Sequence, residues 1–230
     1  MKAVAETLGV ARSNLVEQLQ RPKRPQRGPY RRAEDEAVLG EKRAIRAHEG
    51  NVVAAASNQR WASDGLEIPC WNGEVVRIAF AIDTHDREII TWVATHGGGI
   101  SGEMIRDMML DCVERRFNAQ RAPFPVQWLA DNGSAYTAAE TTDFAAALNL
   151  VPCLTPVRSP ESNGVCEAFV KTLKRDYARV NPRPDAISVF QQLPAWFEDY
   201  NNIHPHSGLR MRSPREFIAS KSPNQAGCPV

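Results

Sequence analysis

Three acidic residues occupy segments whose predicted secondary structures differ. Asp64 lies in a strand-rich stretch, Asp131 directly follows an apolar run, and Glu167 lies early in an amphipathic helix. Three carboxylates that a fold brings together can bind a pair of divalent metal ions, which stabilise the attacking and the leaving oxygen of an in-line phosphoryl displacement. Asp64, Asp131 and Glu167 therefore predict a metal-dependent phosphoryl-transfer site.

The helix that carries Glu167 also carries two lysines at helical spacing. Glu167, Lys171 and Lys174 share one stripe, because residues separated by four and by seven positions stack on a helix. The lysines could hold the phosphates of the strand being cut, although Glu167 and Lys171 also fit an ordinary ion pair on a solvated helix. A separate apolar face, which we expect to pack on the sheet, comprises Cys166, Phe169, Val170, Leu173 and Tyr177.

Each aspartate also has a structural interpretation. Asp64 precedes a glycine, and Asp131 begins an Asp-Asn-Gly sequence, so both are typical of turns. Three other aspartates have no comparable context, and we interpret Asp83, Asp86 and Asp111 as turn or surface residues. The combination of a strand carboxylate, a strand-end carboxylate and a helix carboxylate beside lysines favours the catalytic interpretation.

The elements that must position these residues follow from hydrophobic periodicity and turn signals. Short turns join the first three strands, which predicts an antiparallel meander, and alternating helices and strands follow it. This order predicts a mixed sheet covered on its faces by helices. The predicted elements are strands at 60–70, 74–82 and 88–94, a helix from Ser101, a strand ending at Asp131, a helix at 138–148 and a strand at 151–154.

The whole chain has the composition of a globular protein. Its 230 residues are 43% hydrophobic and 24% charged, which suits one core and a smaller appendage. No apolar run reaches the length of a membrane span and no signal-peptide pattern follows Met1, so we expect a cytoplasmic protein without a membrane partner. Five cysteines without a C-x-x-C pair predict reduced, buried thiols. His204 and His206 favour a structural or DNA-facing role over a metal site.

Charge is distributed unevenly although the formal net charge is only +1. Residues 1–60 carry 12 Lys and Arg against 7 Asp and Glu, a balance of +5, whereas residues 61–230 carry 16 against 20, a balance of −4. A basic segment broken by prolines suits a nucleic-acid backbone, where phosphate neutralisation supplies affinity; a solvated linker is the alternative. The DNA-binding candidates in this segment are Arg24, Arg27, Arg31 and Arg32.

Six segments between residues 58 and 218 match one known family in order and in spacing. The chain resembles the integrase-core transposases of bacterial insertion sequences, specifically the second-frame (OrfB) product of the IS-three family, whose DDE catalytic core is similar to that of retroviral integrases. The matching segments are Asn58–Gly65, Trp128–Ser134, Arg158–Gly164, Glu167–Lys174, Tyr200–Leu209 and Ser213–Phe217.

This resemblance implies a fold, a site and a reaction. The implied fold is an α/β, RNase H-like mixed five-stranded sheet flanked by helices, with a short helical N-terminal appendage. The implied catalytic triad is Asp64, Asp131 and Glu167, which would bind two Mg²⁺ ions, with Mn²⁺ as a substitute; Lys174 would contact DNA and Asn163 would lie near the active site. The implied reaction nicks DNA at the element's end and then uses the freed 3′-OH to attack a second phosphodiester.

The same resemblance implies partners and a domain organisation. The expected partners are insertion-sequence ends and target DNA, a second copy of the chain, and the first-frame product as a frameshift fusion, in the bacterial cytoplasm and at the nucleoid. We expect a helix-turn-helix remnant at 1–20, a basic linker at 21–57 that is shorter than in the family, the catalytic core at 58–218 and a flexible tail at 219–230. The shortened linker leaves two alternatives, a catalytically idle DNA-binding or dimerising remnant that modulates intact transposase, and a nuclease without sequence specificity.

Overall fold

A five-stranded sheet in the order β3-β2-β1-β4-β5 forms the centre of the molecule. The first three strands form an antiparallel meander, while β4 runs parallel to β1 and β5 runs parallel to β4. Both the meander and the mixed sheet predicted from the sequence are therefore confirmed. The strands are β1 (Arg60–Pro69), β2 (Val75–Asp83), β3 (Ile89–His96), β4 (Val126–Ala130) and β5 (Leu150–Leu154).

The computed structural model describes residues 54–131, 133–154 and 164–221. Four predicted regions lie outside these residues: the helices at 1–20, residues 21–53 of the basic linker, Asn163, and residues 222–230 of the tail. The DNA-binding candidates Arg24, Arg27, Arg31 and Arg32 also lie outside them.

Helices cover both faces of the sheet. The long helix α1 begins where the sequence predicts, because the Ser101 side chain accepts a hydrogen bond from the backbone N–H of Met104 at 3.2 Å. The helix predicted at 138–148 is confirmed at Ala139–Ala147. A four-residue helix precedes it that the sequence analysis does not predict, and the two are separated at Ala138, whose φ of −55° and ψ of 137° are extended. The helices are α1 (Gly102–Phe117), α2 (Ser134–Thr137), α3 (Ala139–Ala147), α4 (Gly164–Thr172), α5 (Ala186–Asn202) and α6 (Pro214–Lys221).

The alternation of side chains along β1 divides the hydrophobic core into two layers. Trp61 packs with α1 and α3 on one face of the sheet, whereas Ala62 and Leu66 pack with α4 and α5 on the other. The layer on the α4 face includes Cys166, Phe169, Leu173 and Tyr177, while Val170 is partly buried against it. These residues form the apolar face predicted for this helix, so the stripe that carries Glu167 is turned away from the core.

The interpretation of Asp83 and Asp86 as turn or surface residues is correct for the turn but wrong for the surface. Asp83 and Asp86 lie at the turn between β2 and β3, as expected, but both are fully buried. Asp83 accepts hydrogen bonds from the backbone N–H groups of Asn58 at 2.6 Å and His85 at 2.8 Å. Asp86 pairs with Arg116 at 3.2 Å. Burial of these carboxylates is tolerated because donors and a cation surround them.

Other expectations concern cysteines, histidines and membranes. Four of the five cysteines are buried thiols, as predicted: Cys70, Cys112, Cys153 and Cys166. The rings of His204 and His206 lie 5.2 Å apart and pack on Tyr200, which supports the structural role. No helix among residues 54–131, 133–154 and 164–221 is long and apolar enough to cross a membrane.

Candidate active site

Asp64 projects from β1 on the face covered by α4. It pairs across the antiparallel ladder with Phe80 of β2, and directly opposite residues in such a ladder point to the same face. The Phe80 ring lies 4.5 Å from the ring of Phe169. Glu167 precedes Phe169 by two residues on α4, so this aromatic contact fixes the start of α4 over the part of β1 that carries Asp64.

Asp131 directly follows β4, which is the parallel neighbour of β1. The two strands pair Trp61 with Trp128 and Ala62 with Leu129. Continuing this register by two residues sets Asp64 opposite Asp131. The parallel pairing therefore brings together two carboxylates that are far apart in the sequence.

Electrostatic interactions link the three predicted site residues. Burial is the largest cause of the raised pKa of Asp64, and repulsion from the carboxylates of Asp131 and Glu167 raises it further. A hydrogen bond from the backbone N–H of Gly65 acts in the opposite direction and lowers this pKa. Each of the other two carboxylates thus acts on Asp64, as expected for like charges gathered at one place.

Each carboxylate also has a local partner. One Asp64 oxygen accepts from the Gly65 N–H at 2.7 Å, and one Asp131 oxygen accepts from the Gly133 N–H at 2.9 Å. Glu167 lies 3.8 Å from the Lys171 ammonium, an exposed i,i+4 pair. Such a pair contributes only about 0.3–0.5 kcal/mol, so it leaves the Glu167 carboxylate available for another cation.

The donor set fits Mg²⁺ better than it fits softer metals. Mg²⁺ binds through a few carboxylate oxygens and keeps several waters, and Asp64, Asp131 and Glu167 supply oxygens alone. Within the described residues, no group of three His, Cys, Asp or Glu side chains is drawn together closely enough to hold a metal ion. The local partners of these carboxylates and their mutual repulsion are consistent with this open arrangement.

The predicted lysine stripe is exposed to solvent. Lys171 and Lys174 both project outwards from the helix that carries Glu167. Beyond α4 the helix continues as a π-helical turn, Leu173–Ala178, in which the Lys174 carbonyl accepts from the N–H of Arg179. Short π-helical turns occur frequently at functional sites.

Sequence reasoning missed Tyr136 and Ser63 beside the predicted triad. The Tyr136 hydroxyl lies 2.8 Å from the Ser63 hydroxyl, on the sheet face opposite to α4. Burial is the largest cause of the raised pKa of Tyr136, and the nearby charges of Asp131 and Asp64 raise this pKa further. The hydrogen bond with Ser63 lowers it. A serine on the apolar side of β1, next to Asp64, was the signal in the sequence that could have identified this pair.

The integrase core domain family matches residues 54–160, and a second integrase core domain family matches residues 151–214. A protein of insertion element IS136 from Agrobacterium fabrum is 61% identical over 177 residues, covering 77% of this chain and 91% of that protein. The transposase InsD of insertion element IS2D from Escherichia coli is 48% identical over 200 residues, covering 85% of this chain. The chain spans 66% of the length of that transposase.

Solved structures support the fold. A chain of the simian T-cell lymphotropic virus intasome matches with a TM-score of 0.57 and 19% identity, over 80% of this chain and 61% of that one. The catalytic domain of the Mos1 mariner transposase matches with a TM-score of 0.51 and 17% identity, over 61% of this chain and 70% of that one. The predicted RNase H-like fold is confirmed, and the chain belongs to the insertion-sequence transposases that carry an integrase core domain.

Proposed function

We propose that this protein catalyses metal-dependent DNA cleavage and strand transfer at the ends of an insertion sequence. The observation that carries the proposal is geometric: the register of β1 and β4 sets Asp64 opposite Asp131, and the contact of Phe169 with Phe80 places the helix that carries Glu167 over the same part of the sheet. A carboxyl group whose pKa is raised by burial and by carboxylates from separate elements is typical of functional sites rather than of surface ion pairs.

The three carboxylates would hold two Mg²⁺ ions, and Mn²⁺ would substitute because it accepts the same oxygen ligands. Bound Mg²⁺ supplies Lewis-acid polarisation of the phosphodiester and lowers the pKa of the attacking hydroxyl group. The chain contributes fixed positions, because Asp64 lies within a strand and Asp131 ends the neighbouring one. Glu167 lies on a helix whose apolar face is anchored to the sheet.

Lys171 and Lys174 would bind the phosphates of the DNA strand that enters the site. Both are exposed beside Glu167, where a cation can reach a phosphate without a desolvation penalty. On sequence grounds alone, we propose further DNA contacts by Asn163, Arg24, Arg27, Arg31 and Arg32. The proposed partners are insertion-sequence ends, target DNA, a second copy of the chain and the first-frame product as a fusion, in the bacterial cytoplasm.

A supercoiled plasmid that carries the element's ends tests the proposal. We expect Mg²⁺-dependent nicking and strand transfer by the wild type, and the loss of both in Asp131→Asn, Asp64→Asn and Glu167→Gln. The matched control is Asp143→Asn, which changes an aspartate on α3, away from the triad, and should retain full activity. Normal activity in any triad variant would refute that residue's role, whereas DNA retention without nicking by the wild type would support the idle binding remnant.

A further inference from the structure

A hydrogen bond between two hydroxyl groups connects β1 to α2, the short helix that follows Asp131. Ser63 is fully buried and directly precedes Asp64 in β1, and its hydroxyl lies 2.8 Å from that of Tyr136. The Tyr136 ring is partly buried against the core layer beneath α1. Burial raises the pKa of the Tyr136 hydroxyl, so the phenol is neutral and retains its proton for this hydrogen bond.

Local contacts continue from Tyr136 back to the Asp131 carboxylate. The backbone N–H of Tyr136 donates to the Gly133 carbonyl at 2.9 Å, and the Gly133 N–H donates to an Asp131 oxygen at 2.9 Å. Space here is tight, because a Cβ on Gly133 would lie 2.9 Å from the same Asp131 oxygen and 3.5 Å from the Tyr136 ring. The orientation of the Asp131 carboxylate is therefore tied to the position of Tyr136.

We propose that the hydrogen bond between Ser63 and Tyr136 is a positioning contact that sets the Asp131 carboxylate relative to Asp64 for metal binding. The paired residues of β1 and β4 end at Ala62 and Leu129, so the strand register sets Asp131 beside Asp64 but does not fix the orientation of the Asp131 side chain. The hydroxyl pair supplies a further connection beyond the last paired residues, from the residue before Asp64 to the helix after Asp131. This inference rests on the proposed function, because it assigns the pair to the same metal site.

A purely structural role is the competing explanation, since a buried hydroxyl pair also stabilises the fold. A second tyrosine provides a matched control for that role. The Tyr177 hydroxyl donates to Asp199 at 2.7 Å, and none of the groups that shift the pKa of Tyr177 belongs to the proposed triad. Tyr136→Phe and Tyr177→Phe each remove one hydroxyl group from a side-chain hydrogen bond, so they differ chiefly in their distance from the proposed metal site.

The test uses the full-length chain and two measurements. The first is amide hydrogen exchange in metal-free protein, where we expect Tyr136→Phe and Ser63→Ala to accelerate exchange at the backbone amides of positions 133 and 136, whereas Tyr177→Phe should not. The second is the Mn²⁺ dissociation constant from calorimetry. Losing an interaction that orients a metal ligand typically weakens metal binding about 10- to 100-fold, so we expect at least a roughly 10-fold increase in Tyr136→Phe and Ser63→Ala.

A double variant separates positioning from stability. If the hydroxyl pair acts as one contact, Ser63→Ala combined with Tyr136→Phe should weaken Mn²⁺ binding no more than either single change does. The proposal is overturned if Tyr136→Phe lowers the melting temperature as Tyr177→Phe does but changes neither exchange at Gly133 nor Mn²⁺ affinity. Failure of the wild type to bind Mn²⁺ would count against the proposed function, whereas unchanged exchange at Gly133 would overturn the positioning role whatever the metal result.

Discussion

Two clusters of acidic side chains in this protein are compensated in different ways. The buried acid cluster consists of Asp83, Asp86 and Glu88 at the turn between β2 and β3. The carboxylate site consists of Asp64, Asp131 and Glu167. Each cluster gathers three acidic groups, yet the described residues balance only the first of them with arginines.

Arginines neutralise the buried acid cluster from two helices. Arg116 of α1 pairs with Asp86 at 3.2 Å and Glu88 at 3.0 Å, and Arg215 of α6 pairs with Glu88 at 3.0 Å. Burial lowers the pKa of Arg116, but the acidic neighbours raise it further, so the net direction is upward. The cluster therefore connects α1 and α6 to the same turn and contributes to the fold.

The residues that the structure describes give the carboxylate site no such compensation. Among the described residues, neither Asp64 nor Asp131 forms an ion pair, and Glu167 has only the exposed Lys171 at 3.8 Å. Negative charges that a fold gathers without neutralising them raise its free energy unless a cation binds. The contrast distinguishes a cluster whose charges the fold neutralises from one whose charges it leaves exposed to repulsion, and it supports the proposal that the second binds an external cation.

The largest expected effect comes from removing the cation of the buried acid cluster. Arg116→Met would leave Asp86 buried without its charge partner, and breaking a buried pair in this way typically costs about 3–5 kcal/mol in the free energy of unfolding. Urea unfolding at neutral pH measures this cost. Asp131→Asn is the control, because it removes a charge that lacks compensation and should cause little loss of stability. A loss below about 1 kcal/mol for Arg116→Met would contradict the difference between the clusters.

A smaller effect on the free energy of unfolding, of opposite sign, is expected from replacing Asp64. Because its pKa in the folded state lies above its ordinary value, the folded chain binds the proton more tightly than the unfolded chain does. The stability of the wild type should therefore fall as the pH rises from the unfolded pKa of about 3.9 through the folded pKa, and remain lower above it.

Asp64→Asn removes the ionised carboxylate that lowers the stability of the wild type at neutral pH. In the presence of chelator, the variant should be at least as stable as the wild type at neutral pH, and its advantage should disappear below about pH 3.9. Saturating Mg²⁺ should reverse the order by stabilising only the wild type. Thermal unfolding with and without Mg²⁺ measures both effects, and Asp143→Asn serves as the control. A variant less stable than the wild type in chelator would show that Asp64 is compensated after all.

The smallest expected effect concerns the cations outside the carboxylate site. Lys174→Ala should weaken DNA binding and reduce the slope of log affinity against log salt by about one. Fluorescence anisotropy with duplex DNA at several salt concentrations measures the slope. Lys221→Ala is the control, because Lys221 contacts His85 at 2.6 Å and is not among the proposed DNA contacts. An unchanged slope in Lys174→Ala would remove this lysine from the DNA interface.

Several elements were predicted well because their signals are local. Strand alternation, the N-cap at Ser101 and the apolar face of α4 depend on residues within one or two turns of each other. The helix predicted at 138–148 is confirmed as α3, whereas the short helix α2 before it was missed. A helix of four residues is too short to show a hydrophobic period, so α2 had no local signal.

By itself, the sequence determined the residue types of the candidate site and the elements that carry them, since periodicity and caps act between neighbours along the chain. Only the tertiary structure decided which carboxylates meet. The parallel pairing of β1 with β4 sets Asp131 beside Asp64, and Arg116, from a different element, pairs with the buried Asp86. The Ser63–Tyr136 contact likewise joins residues far apart in the chain. Burial and charge compensation depend on distant partners, so local patterns cannot predict them.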